Sequence, residues 1–96
     1  MDNQEIIYIK TICTEYNVDP LFLDELNEIG LIKTVLVNNE ISINSEQLSR
    51  VEKMIRMHHE MDINTAGIDA VFNLLDQIDS LTTELNSLKN RLSLYE

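Results

Sequence analysis

The last third of the chain carries an apolar pattern with a seven-residue period. Val71, Ile78, Leu85 and Leu92 are each seven apart, and so are Leu74, Leu81, Leu88 and Tyr95. Together they step 3, 4, 3, 4 without interruption, the a and d positions of a coiled coil. A helix from Asn64 to the last residue is expected to be roughly 48 Å long. No other stretch of the sequence is long enough to cover that stripe, so the pattern predicts a second copy's helix against it, in a homodimer. The eight residues are read as its dimerisation seam. Charge does not choose an orientation: Glu84 would meet Lys89 in a parallel pair and Arg91 in an antiparallel one.

Upstream the periods are shorter and change type. Ile6-Ile7-Tyr8-Ile9 is β-branched and aromatic, which predicts a short strand or extended lead-in. Residues 11–16 read as a short helix carrying Ile12, Cys13 and Tyr16. Asp19-Pro20 supplies an N-cap followed by a first helical residue, so a second helix is expected over residues 20–29. Leu23 and Leu26 face inward there, with Phe22 and Ile29 beside them, and Gly30 stands where a left-handed C′ residue is wanted. Two β-rich runs flank Asn38-Asn39, a hairpin signal over residues 35–43, because Asn tolerates positive φ. Asn44 or Ser45 then caps a third helix to about residue 61, whose stripe is Leu48, Val51, Ile55 and His58. Asn64 caps the last helix.

Strand, two short helices, hairpin, helix and long helix make a mainly α architecture. It reads as a winged helix-turn-helix with a small β-hairpin wing and a long C-terminal coiled-coil helix. The boundary is drawn between residues 1–63, the winged domain, and 64–96, the dimerisation helix.

Charge changes what such a fold is expected to do. With 17 acidic and 7 basic residues the formal charge is −10. Helix-turn-helix domains often read DNA, but phosphate binding relies on clustered Lys and Arg. The wing region 35–43 has neither and carries Glu40, while the second helix offers Asp24, Glu25 and Glu28. One cysteine excludes an internal disulfide and a multi-Cys zinc site. No apolar run approaches the ~20 residues of a membrane span, and the first residues lack the basic-then-apolar layout of a signal peptide. A cytoplasmic protein is expected, with no membrane and no nucleic-acid partner.

Several blocks then carry a resemblance: Leu26-Asn27-Glu28-Ile29-Gly30-Leu31-Ile32, Arg56-Met57-His58-His59-Glu60-Met61, Gly67-Ile68 and Leu74-Leu75-Asp76-Gln77-Ile78. In that order and spacing, over residues 11 to 92, the chain resembles the CbpM chaperone-modulator family, itself similar to MerR-type regulatory domains. The resemblance implies a non-enzymatic adaptor. Its partner would be the J-domain of a DnaJ-like co-chaperone, CbpA, and binding would block stimulation of the chaperone DnaK. The Arg-rich wing of DNA-binding MerR regulators is absent, which favours a protein partner. A MerR-like DNA-binding regulator is the alternative, and a purely structural dimerisation module a further one. J-domains, as the resemblance implies, present a basic helix, so Asp24, Glu25 and Glu28 are the expected partner-binding residues.

Other candidate chemistry is weaker. His58-His59-Glu60 invites a metal, but adjacent helix residues point ~100° apart, and a zincin pattern needs His where Ile63 stands. His58 is expected at the edge of the core and His59 partly in solvent. Cys13 has no base at a recognisable spacing and is expected to be buried. Met54, Met57 and Met61 read as core filling. Arg50, Lys53 and Arg56, interspersed with Glu46, Glu52 and Glu60, read as an ordinary charged face. No cofactor fingerprint is present.

Overall fold

The computed structural model describes residues 5–95. A short strand β1 (Ile6–Tyr8) leads into α1 (Ile9–Tyr16) and α2 (Pro20–Glu28). A hairpin follows, β2 (Val35–Val37) and β3 (Glu40–Asn44). One 3-10 turn (Ser45–Gln47) runs into α3 (Leu48–Met61), and α4 (Thr65–Ser93) completes the chain.

Local chemistry sets most boundaries. α1 stops at Asn17, which takes the left-handed conformation (φ 53°). Asp19 then caps α2, its carboxylate accepting from the Leu21 N–H at 3.0 Å, with Pro20 as the first helical residue. α2 ends in a Schellman arrangement around Gly30 (φ 86°): the Gly30 N–H donates to the Asn27 carbonyl and the Leu31 N–H to that of Leu26. Asn38 (φ 54°) and Asn39 (φ 63°) form the two-residue turn of the hairpin, the geometry that matches strand twist. Asn44 caps the 3-10 turn, and the Asn64 side chain accepts from the Gly67 N–H at 2.8 Å to start α4.

The sheet has three strands in the order β1-β3-β2, all antiparallel. Ile7 lies opposite Ile43, and Leu36 opposite Ile41. These four share one face by the two-residue period of a strand. The inner half of that face enters the core: Ile43 is fully buried beside Ile12, Leu23, Leu26, Val51, Met54 and Ile68.

The core draws on every helix, including Ile68 and Phe72 from the start of α4. Beyond Phe72, α4 leaves the rest of the molecule and every position to its end is exposed. Arg50 of α3 lies over the Phe72 ring, 4.7 Å from its centroid, and helps hold the base of α4.

Some expectations change on contact with the fold. Ile29 is the C-cap of α2, not part of its inward face, and is 45 % exposed. Cys13 is only half-buried. Of the three methionines, Met54 fills the core and Met57 packs at its edge, but Met61 sits in the last turn of α3 with most of its surface in solvent. Tyr95 lies past the end of α4, in the turn that closes on the Leu92 carbonyl.

Candidate partner-binding site

α2 carries the three acids expected to bind a partner. The helix divides sharply. At ~100° per residue, Phe22, Leu23 and Leu26 occupy one arc, and Leu21, Asp24, Glu25 and Glu28 the opposite one. The first three are buried and the other four exposed. The three expected acids therefore share one solvent face, and the structure places a leucine, 60 % exposed, among them. Asp24, Glu25 and Glu28 pair with no cation among the described residues, where the ion pairs are Lys10–Glu40 at 3.0 Å and Arg56–Glu60 at 3.8 Å.

Beside this face a groove of about 440 Å³ runs between α2 and the hairpin. Leu21, Leu23, Asp24 and Asn27 line one wall, and Thr34 and Ile41 the other, with Ile9 and Pro20 at the end. Its hairpin side is apolar: Ile41 is 52 % exposed. Two amide side chains hold the walls in register. Asn27 accepts from the Thr34 N–H at 3.2 Å, and Gln47 brackets Lys33, bonding its N–H and its carbonyl at 2.8 Å each. The segment joining α2 to the hairpin is thus tied to both α2 and the turn before α3.

The exposure of the three acids follows from the helical spacing, whereas the groove does not. Its signals were present: Leu21 falls outside the inward arc of its helix, and Leu36 and Ile41 flank the Asn-Asn turn symmetrically. Neither signal shows that the two walls meet.

His58 stacks on Phe22 with ring centroids 4.3 Å apart, and its Nδ1 lies 3.1 Å from the Ile63 carbonyl. His59 is exposed, its ring tilted 41° to that of His58. Among the described residues no three His, Cys, Asp or Glu side chains converge to hold a metal ion. Burial pushes the Cys13 thiol up, and the nearby Asp19 carboxylate adds to it, the opposite of an activated nucleophile. The Tyr16 hydroxyl donates to the Glu52 carboxylate, which raises its pKa above the ordinary tyrosine value.

A second exposed surface runs along α4. Leu74, Ile78, Leu81, Leu85, Leu88 and Leu92 are each more than half exposed, and Val71 half-buried. Among the described residues no helix is long and apolar enough to cross a membrane.

Short paired helices beside a hairpin, with a long helix after them, are the layout of a helix-turn-helix class of domain. The chain belongs to the family described as MerR HTH family regulatory protein, which matches residues 7–90. Among curated proteins it is similar to the chaperone modulatory protein CbpM of Pseudomonas putida. The two are 26 % identical over 88 residues, covering 91 % of this chain and 87 % of that protein. No solved structure matches.

Proposed function

We propose that this chain is a non-enzymatic chaperone modulator of the cytoplasm. It binds the J-domain of a DnaJ-like, CbpA-type co-chaperone and blocks its stimulation of DnaK. In this reading the molecule is a winged helix-turn-helix with β2 and β3 as its wing, and it works as a homodimer joined through a coiled coil of α4. The acids Asp24, Glu25 and Glu28 meet a basic helix of the J-domain.

The observation that carries the reading is the exposed face of α2. In a DNA reader this helix puts Arg, Lys, Asn or Gln against bases and phosphates. Here the same face holds three carboxylates with no cationic neighbour. Such a face repels a phosphate backbone and attracts a basic protein. The similarity to a chaperone modulatory protein over nearly the whole chain supports a partner within a chaperone system.

Membership of the MerR family keeps the DNA-binding regulator as the second reading, and one assay separates the two. DnaK ATPase activity, stimulated by a CbpA-type co-chaperone, is titrated with the protein. Stimulation is expected to fall to the basal DnaK rate near stoichiometric ratios. Undiminished stimulation at a tenfold excess, as an order-of-magnitude criterion for a stoichiometric inhibitor, would exclude the proposal. A competitor-resistant shift of duplex DNA in parallel would favour the regulator.

A further inference from the structure

We infer that the groove between α2 and the hairpin is the docking slot for an apolar side chain carried on a basic amphipathic helix. The inference deepens the adaptor reading and rests on it for the site, but it commits to the chemistry that seats the partner.

The groove is already formed. Its walls are fixed by the Asn27–Thr34 bond and by Gln47 on both polar groups of Lys33, so little ordering opposes binding. Its space of about 440 Å³ admits aliphatic side chains, and Leu21, Leu23 and Ile41 are there to contact them. Leu21 and Ile41 are exposed on opposite lips. Buried between the two proteins, they would form the water-excluded centre on which interface energy concentrates.

The rim fixes the charge of the occupant. Asp24 lines the slot, and Glu25 and Glu28 continue the same face without a cation of their own. On the hairpin side Glu40 is already neutralised by Lys10. These carboxylates, without cations of their own, repel the same acidic face of a second copy, as they repel nucleic acid.

The spacing fixes its shape. Leu21, Asp24 and Glu28 rise along one row of α2 in steps of three and four residues, neighbours on a helix surface. A helix laid along this row offers an apolar residue and two cations at the same spacing. An extended strand turns alternate side chains away.

The test uses three synthetic peptides of Ala, Lys, Leu and Glu, made helical and labelled for fluorescence anisotropy. The first has two leucines one turn apart between lysines. The second replaces both leucines with alanine at unchanged charge, and the third replaces the lysines with glutamate. The full chain should bind the leucine–lysine peptide at least about tenfold more tightly than either of the others. The double variant Leu21→Ala, Ile41→Ala should lose at least about tenfold for it, with unchanged circular dichroism, because both side chains are exposed. Amide chemical-shift changes in the wild-type protein, which need no variant, should centre on Leu21, Asn27, Thr34 and Ile41. Equal binding of the leucine and alanine peptides overturns the inference, as do shifts confined to α4 or self-association that depends on Leu21 and Ile41. If a CbpA-type J-domain does not bind but the leucine–lysine peptide seats in the groove, the named partner falls and the slot stands. If the J-domain binds wild type and double variant equally, the slot falls and the adaptor reading stands.

Discussion

His58 joins three parts of the molecule through one half-buried ring. It lies on α3, stacks on Phe22 of α2, and holds the Ile63 carbonyl just before α4. The stack and the hydrogen bond together are worth about 1–3 kcal/mol. His58→Ala should lower stability by that amount in urea unfolding, and His58→Phe, which keeps the stack, should recover part of it. The sequence placed His58 at the core edge from its helical spacing. Its partner Phe22 lies 36 residues away and no local pattern connects them. Tyr16 gives a pH signature. Its hydroxyl donates to Glu52, so the folded state holds the proton more tightly than the unfolded chain. A raised pKa contributes stability that is full below the ordinary tyrosine value and lost as pH rises through the folded value. Urea midpoints measured from about pH 8 to 11 should fall more steeply in wild type than in Tyr16→Phe across the upper end of that window. At Gly30 an added Cβ meets nothing within 4 Å, so the only cost is the backbone at φ 86°. Gly30→Ala should cost about 1–2 kcal/mol and Gly30→Asn less.

The elements fall into those read from neighbouring residues and those that need distant ones. Asp19-Pro20 started α2, Gly30 stopped it, and Asn38-Asn39 turned the hairpin, each through chemistry confined to a few residues. The pairing of β1 with β3 was not legible, because it joins Ile7 to Ile43 across two helices. The groove hid for the same reason: Leu21 and Ile41 belong to different elements. The hairpin turn can be improved. Both central residues have positive φ, and the preferred pair for such a turn ends in Gly. Asn39→Gly should therefore stabilise the protein, by less than about 1 kcal/mol, as a rise in thermal midpoint. A loss of stability there would mean that the Asn39 side chain has a role beyond the turn. α4 poses the opposite case, a periodic face that stays exposed from Leu74 to Leu92. The proposed coiled coil covers it. Leu85→Asp places an unpaired charge in that seam, and burying such a charge costs several kcal/mol. Sedimentation should then show monomer, against dimer for wild type at micromolar concentration. A wild-type monomer there would remove the coiled coil from the account.

At the scale of the whole molecule, shape and charge point the same way. The chain extends 59 × 39 × 21 Å with a radius of gyration of 17.4 Å, against about 12–13 Å for a compact domain of this length. The excess comes from α4, which leaves the core after Phe72 with its leucines uncovered. The net charge of −10 predicts no sequence-specific duplex binding at physiological salt, checked by mobility shift on promoter fragments. It also predicts that the proposed partner is steered by charge and then held by apolar contact. Calorimetric titration of a CbpA-type J-domain, at low and high salt, tests that claim most directly. Wild type is compared with the triple variant Asp24→Lys, Glu25→Lys, Glu28→Lys, which should stay folded because exposed charges contribute little to stability. Binding to wild type should weaken as salt rises, and binding to the variant should be markedly weaker. Equal affinity for the two proteins, unchanged between the two salt concentrations, would contradict that claim.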